Sequence, residues 1–270
     1  MSKKLRKVYY YDDPVNDDFA LTQVKVKPLP KKFKFYHRNW IYRFLSSILY
    51  FVIVVPILWC YAKLRYSFKI VGAKKLKKIR MSGYFLYGNH TMDEDGFLAS
   101  VSFNLPKKTY VVCSQAVTSI FGIRWLLMSL GILPVPDGPE QASKFLEAVE
   151  YHYKHRGVVM IFPEAHIWPY CTRIRPFPDS SFTYPAQLNA PVVGMCTTFR
   201  QRKFFRHLPP KVTIHVSDVF YPDMSKPLGE RTKELRDQVY EFMEDTSASL
   251  DNYEYVRYYK RKDGNASTDK

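Results

Sequence analysis

From Phe44 to Ala62 the chain runs FLSSILYFVIVVPILWCYA, nineteen residues without a charge, between Arg43 and Lys63. As a helix this run is about 28 Å long, which matches a bilayer core and also suits the buried core helix of a globular domain. Trp40, Tyr42, Trp59 and Tyr61 near its ends favour a membrane interface. A signal peptide is excluded, because the run begins late and no small-residue cleavage site follows. Seven Lys or Arg lie in residues 25–43 and eight in 63–80. Flanks so evenly charged do not orient a simple crossing under the positive-inside rule. With Pro56 inside the run, a kinked, re-entrant or in-plane helix fits as well as a full span.

Charge separates this segment from the rest. The chain carries 41 Lys or Arg against 25 Asp or Glu, a formal +16. Residues 1–80 hold 19 basic against 4 acidic side chains, and residues 81–270 hold 22 against 21. A nucleic-acid binder carries its positive field on the folded domain, so the asymmetry points to an anionic membrane surface instead. The expected organisation is a mobile basic and polar tail over 1–30, a basic and apolar membrane anchor over 31–80, an α/β domain over 81–250 and a polar, frayed tail over 251–270. Hydrophobic residues at 46% rule out wholesale disorder. Cys60, Cys113, Cys171 and Cys196 are scattered, with no C-x-x-C pair. That excludes the usual zinc frameworks and points to a reducing compartment.

After residue 80 strands and helices alternate. Tyr84–Gly88, Thr109–Cys113, Val158–Phe162, Pro191–Met195 and Val212–Val219 read as strands. Helices are expected over Pro139–Arg156 and Leu228–Met243, the first with Pro139 in its opening turn and Gly157 at its end. The pattern implies an α/β fold, a sheet flanked by helices with an N-terminal membrane-associated helical segment.

Two strands end in polar clusters, Asn89-His90-Thr91-Met92-Asp93-Glu94-Asp95 and Pro163-Glu164-Ala165-His166. In open α/β sheets, sites form at the carboxyl ends of strands. His90 and Asp95 would lie about 140° apart on a continuous helix, so they can meet only across a turn. A carboxylate on one imidazole nitrogen leaves the other free as a general base. Two other classes fit the same residues. His90, Asp93, Asp95, Glu164 and His166 could serve a metal-dependent hydrolase, and a catalytically inactive, membrane-tethered binding module would also accommodate them.

N-H-x4-D at one strand end, F-P-E about seventy residues later and then A-P-V-V-G resembles the PlsC-like glycerophospholipid acyltransferases over residues 82–200. The resemblance implies a glycerolipid-acyltransferase-like mixed sheet. It also implies transfer of a fatty acyl chain from acyl-CoA or acyl carrier protein to a lysophospholipid hydroxyl, foremost 1-acyl-glycerol-3-phosphate. No organic cofactor and no metal are expected. The catalytic domain should face the cytoplasm. By position His90 matches the catalytic histidine, Asp95 its aspartate and Glu164 the glutamate of the third motif. Asn89, Glu164 and His166 are then candidate substrate-binding residues.

The motifs also depart from the family. Ala165, His166 and Ile167 stand where F-P-E is usually followed by G-T-R, and Asp137 stands where the second motif usually ends in arginine. An acidic side chain there would repel an acceptor phosphate. Either Arg124, His166, Arg173 or Arg175 supplies the missing cation, with Arg173 or Arg175 able to fold back from the loop C-T-R-I-R-P-F, or the acceptor is a non-phosphate or other lysolipid and not a simple glycerol phosphate. In the fourth motif, Gly194 replaces a second proline.

Overall fold

A computed structural model describes residues 7–20, 26–119, 122–249 and 251–261. Its strands are β1 (Lys7–Tyr11), β2 (Lys69–Val71), β3 (Tyr84–Gly88), β4 (Thr109–Cys113), β5 (Ile132–Pro134), β6 (Val158–Ile161), β7 (Val192–Arg200), β8 (Lys211–Phe220) and β9 (Val256–Lys260). Seven of them form one sheet in the order β2-β8-β7-β3-β6-β4-β5. β7 and β8 pair antiparallel; every other pairing in that sheet is parallel. The α/β expectation holds, as a mixed sheet covered on both faces.

The central strands are apolar at every position because both faces are covered. Side chains alternate between the faces. Tyr84 and Leu86 of β3, with Val158 and Met160 of β6, join one core cluster. Phe85 and Tyr87, with Val159 and Ile161, join the other. The second face is covered by α6 (Pro139–Lys154), α7 (Thr183–Leu188) and α8 (Leu228–Ser249), through Phe145, Val149, Ala186, Leu235 and Val239.

The first face carries the apolar helix. It runs from α1 (Trp40–Ile48) through a π-helical stretch, Leu49–Val54, into α2 (Val55–Tyr66). Asn39 caps its start, its Oδ1 accepting from Ile41 and Tyr42 N–H at 2.8 and 3.3 Å. Proline lacks the N–H that would bond the carbonyl four residues back, and the wide turn falls just before Pro56, where that bond is lost. Tyr50, Val55, Ala62 and Tyr66 are buried with Leu98 and Ala99 of α3 (Asp95–Ser102). The opposite side of the helix is apolar and exposed: Trp40 (73%), Phe44, Leu45, Val52, Ile57 and Leu64 (78%). Trp40–Tyr66 is long and apolar enough to span a membrane.

Two expected boundaries change. Residues 31–80 are not an appendage: Phe35, Tyr50 and Tyr66 enter the cores, and β2 pairs with β8. The sequence hid this because β2 is only three residues long. The tails expected over 1–30 and 251–270 also meet. β1 pairs in parallel with β9, Lys7 to Tyr11 against Val256 to Lys260. Tyr9, Tyr11, Phe19 and Tyr258 gather around Trp168, with Tyr258 stacked on its indole at 4.8 Å. Their aromatic side chains supply a third core that a polar composition does not suggest. Residues 1–6, 21–25 and 262–270 of those tails lie outside the described residues.

One expected helix and one expected strand run well past their expected ends. α8 continues past Met243 to Ser249, and β7 continues past Met195 to Arg200 because β8 pairs along it. Gly194, the fourth-motif departure, sits where a Cβ would come within 2.7 Å of the Phe242 ring of α8. Its smallness allows close helix-to-sheet packing and has no role at the strand ends.

Candidate active site

β3 stops at Gly88 and the chain turns before α3 begins at Asp95. That turn achieves what a continuous helix could not. His90 Nδ1 lies 3.3 Å from Asp95 Oδ2. The same oxygen accepts the backbone N–H groups of Thr91 and Met92 at 2.6 and 2.8 Å. Asp95 is fully buried. Burial pushes its carboxyl above the usual range, while His90 and the two amides pull the other way. With Nδ1 as donor to this carboxylate, Nε2 is the free nitrogen of His90. Phe162 stacks on the imidazole at 4.2 Å, fixing the ring plane, and the side chain keeps 16% exposure.

Glu164 arrives from the end of β6, the strand beside β3. Its Oε2 accepts His90 N–H at 3.0 Å, and Arg175 donates to both oxygens: Nη2 to Oε2 at 3.0 Å and backbone N–H to Oε1 at 2.9 Å. Burial pushes its carboxyl up and Arg175 opposes that shift. Arg175 is itself buried, also donating to the His166 carbonyl, with its guanidinium 5.0 Å from the Trp168 ring. The His90 and Thr91 carbonyls accept from Trp168 and Tyr170 N–H at 3.2 and 2.9 Å. The third-motif loop thus holds the histidine turn by side chain and backbone together.

His90, Asp95, Glu164 and Arg175 therefore come together, and other expected site residues do not. Asn89, expected on substrate, is buried and clamps β7: its Oδ1 accepts Thr197 N–H at 2.8 Å and its Nδ2 donates to Thr197 O at 3.1 Å. Glu164, likewise expected on substrate, has both oxygens engaged within the protein. His166 faces Asp18 of the N-terminal segment at 3.6 Å. Arg173 donates to the Tyr258 carbonyl at 2.8 Å and lies over Tyr11, drawn away by the β1–β9 pairing. Arg124 opens the short helix α5 (Arg124–Ser129), after α4 (Gln115–Thr118), and its Nε donates to Thr118 O at 2.8 Å. It is half-buried, in the connection that returns from the carboxyl end of β4 to the amino end of β5. Among the described residues, no three His, Cys, Asp or Glu side chains are grouped so as to hold a metal ion. The hydrolase reading loses its geometry, since Glu164 is spent on His90 N–H and Arg175.

Sequence reasoning missed Tyr66 and Glu94. The Glu94 Oε1 accepts from Tyr66 at 2.8 Å and from Tyr61 at 3.1 Å, joining the end of the apolar helix to the residue beside Asp95. No local pattern links positions 28 apart.

Residues 67–198 match the family model for the acyltransferase domain. No curated protein matches the chain in sequence. Among solved structures, the 1-acyl-sn-glycerophosphate (LPA) acyltransferase PlsC from Thermotoga maritima is similar in fold, with a TM-score of 0.54 at 15% identity. The match covers 77% of this chain and 94% of that one.

Proposed function

We propose, from the match of residues 67–198 to the acyltransferase family model and from the PlsC-like fold, that His90 and Asp95 carry acyl transfer from a thioester to a lysolipid hydroxyl. The observation that supports this is the His90–Asp95 contact at the carboxyl end of β3, with Nε2 left free. His90 Nε2 takes the proton of the acceptor hydroxyl as its oxygen attacks the thioester carbonyl. Asp95 holds the tautomer and stabilises the imidazolium. Collapse of the tetrahedral intermediate breaks the carbon–sulfur bond, and the proton on Nε2 passes to the leaving thiolate. Glu164 and Arg175 act through the backbone of His90 as positioning residues.

The donor in this reading is acyl-CoA or acyl carrier protein. The acceptor is 1-acyl-glycerol-3-phosphate, the substrate class named for the similar Thermotoga enzyme. With Arg173 and Arg175 engaged elsewhere, Arg124 is the candidate cation for its phosphate. The apolar helix lies along the domain, so it serves as an in-plane anchor on the cytoplasmic leaflet.

A turnover panel tests the reading: labelled acyl-CoA and acyl carrier protein, each with lysophosphatidate and with uncharged or zwitterionic lysolipids. Lysophosphatidate should be acylated fastest, and Arg124→Gln should raise its KM without changing that of the donor. No turnover with any pair would remove the enzyme assignment. Turnover indifferent to the acceptor phosphate would remove the acceptor and keep the chemistry.

A further inference from the structure

A second polar concavity lies at the other edge of the sheet. Arg80 and Met81 precede β3, Lys107 and Lys108 precede β4, and Arg156 and Gly157 precede β6. Those three strands are parallel, so their amino ends share one edge, and His90 follows the opposite end of β3. Together with α1 and the end of α6 these residues enclose a cavity of about 460 Å³, a size typical of small-molecule sites.

Its chemistry is one-sided. Arg43, Arg80, Lys107, Lys108 and Arg156 line it, with His37, His152 and His155, and no Asp or Glu does. No ion pair among the described residues reaches any of those five cations. The hydrogen bonds of the two lysines go to neutral oxygens. Lys107 Nζ donates to Ser82 O at 2.6 Å, and Lys108 Nζ to Ser46 Oγ and Ser129 O at 2.5 and 2.6 Å. Neutral partners leave the charge uncompensated, and a concave protein wall concentrates its field. Burial lowers Lys108 to about 8, and burial together with the neighbouring Arg156 lowers Lys107.

The position of the cavity identifies the kind of anion. Arg43 and Ser46 of α1 form part of its wall, while Trp40, Ile41, Phe44 and Leu45 of the same two turns are exposed and apolar. A molecule with its phosphate among the cations has an apolar helix surface directly beside it for its chains. We propose that this amino-edge cavity binds the headgroup phosphate of an anionic phospholipid, at a site distinct from that of His90. The inference does not depend on acyl transfer, and its test measures binding.

The full chain in neutral detergent is titrated with dihexanoyl-phosphatidylglycerol, dihexanoyl-phosphatidylcholine and inorganic phosphate while thermal unfolding is followed. Phosphatidylglycerol should raise the midpoint and phosphatidylcholine should not. In Lys107→Gln/Arg156→Asn the apparent affinity for phosphatidylglycerol should fall about tenfold or more, from the attraction each lost cation provides. Lys203→Gln/Arg206→Gln, which removes the same charge from a surface remote from the cavity, should keep the wild-type response. In the wild-type chain, phosphatidylglycerol should also slow acetylation of Lys107, a readout that requires no variant to fold. Equal responses to the two lipids, or an unchanged response in the cavity variant with Lys107 unprotected, would overturn the site. Equal protection by inorganic phosphate would overturn its assignment to lipid.

Discussion

The two edges of the central sheet solve opposite electrostatic problems. At the carboxyl edge two buried carboxylates, Asp95 and Glu164, are surrounded by donors: four backbone N–H groups, one imidazole and one guanidinium. At the amino edge, five cations line a cavity, and the two lysines among them have neutral oxygens for partners. Those hydrogen bonds within the protein fix geometry, which is what a general base requires, although Asp95 Oδ1 and Arg175 Nε and Nη1 are buried there without a partner. A cluster left uncompensated draws in something from outside. The difference separates a place where the chain holds itself from a place where it awaits a ligand.

The largest effect should come from the carboxyl edge. His90→Ala should lower turnover by roughly 10² to 10⁴ because the proposed base is lost, with the fold kept because the buried Asp95 loses one donor and retains the Thr91 and Met92 amides. Full activity in that variant would end the proposed mechanism. Glu164→Ala should instead destabilise the protein by about 3–5 kcal/mol in denaturant titration, since it strands the buried Arg175 cation. Glu164→Gln/Arg175→Met should recover much of that stability, as both charges leave together. If the single variant is as stable as wild type, the ion pair does not hold the loop.

At the amino edge the sharpest probe is pH. His152 stacks on Tyr110 at 3.6 Å, and burial lowers it to about 3. Between about 3 and the ordinary 6.5, the unfolded chain takes up a proton that the folded one refuses, so stability falls as pH falls through that window. His152→Phe keeps the stacking and cannot titrate. Its stability relative to wild type should rise as pH drops below 6.5, by a few kcal/mol (order of magnitude) at the acid end. A constant difference across the window would refute the buried neutral imidazole. The smallest effect expected is from Tyr66→Phe, about 1–2 kcal/mol, because Tyr61 still donates to Glu94. A loss as large as that from Glu164→Ala would mean that the apolar helix and the His90 turn form one unit.

Much of this molecule was legible in the sequence. β3 and β4 fall on the residues expected, because strands buried on both faces are short continuous apolar runs bounded by polar turns. The His90–Asp95 pair was legible because both partners sit on one turn. What stayed hidden depends on partners distant along the chain. Arg175 reads as a candidate phosphate grip until Glu164, eleven residues earlier, is seen to occupy it. The amino-edge cations are spread from Arg43 to Arg156, and only the parallel register of β3, β4 and β6 gathers them. β1 and β9 were missed because each finds its partner at the other end of the chain.

The π-helical stretch Leu49–Val54 has a consequence for angular phase. Ser46 and Ala62, like Tyr50 and Tyr66, are sixteen residues apart, and all four side chains are buried. An uninterrupted α-helix would rotate each pair about 160° out of alignment, turning one half of the helix toward the sheet and the other away. A widened turn that takes in one extra residue cancels about 100° of that rotation. The two halves then share one inner side, and the residues between them form one continuous outer stripe from Trp40 to Leu64. Chain length between Leu49 and Val54 is therefore a clutch setting: removing one residue there would close the wide turn into an ordinary one and keep the two halves in phase, whereas losing one elsewhere in the helix would turn one half by about 100° against the other.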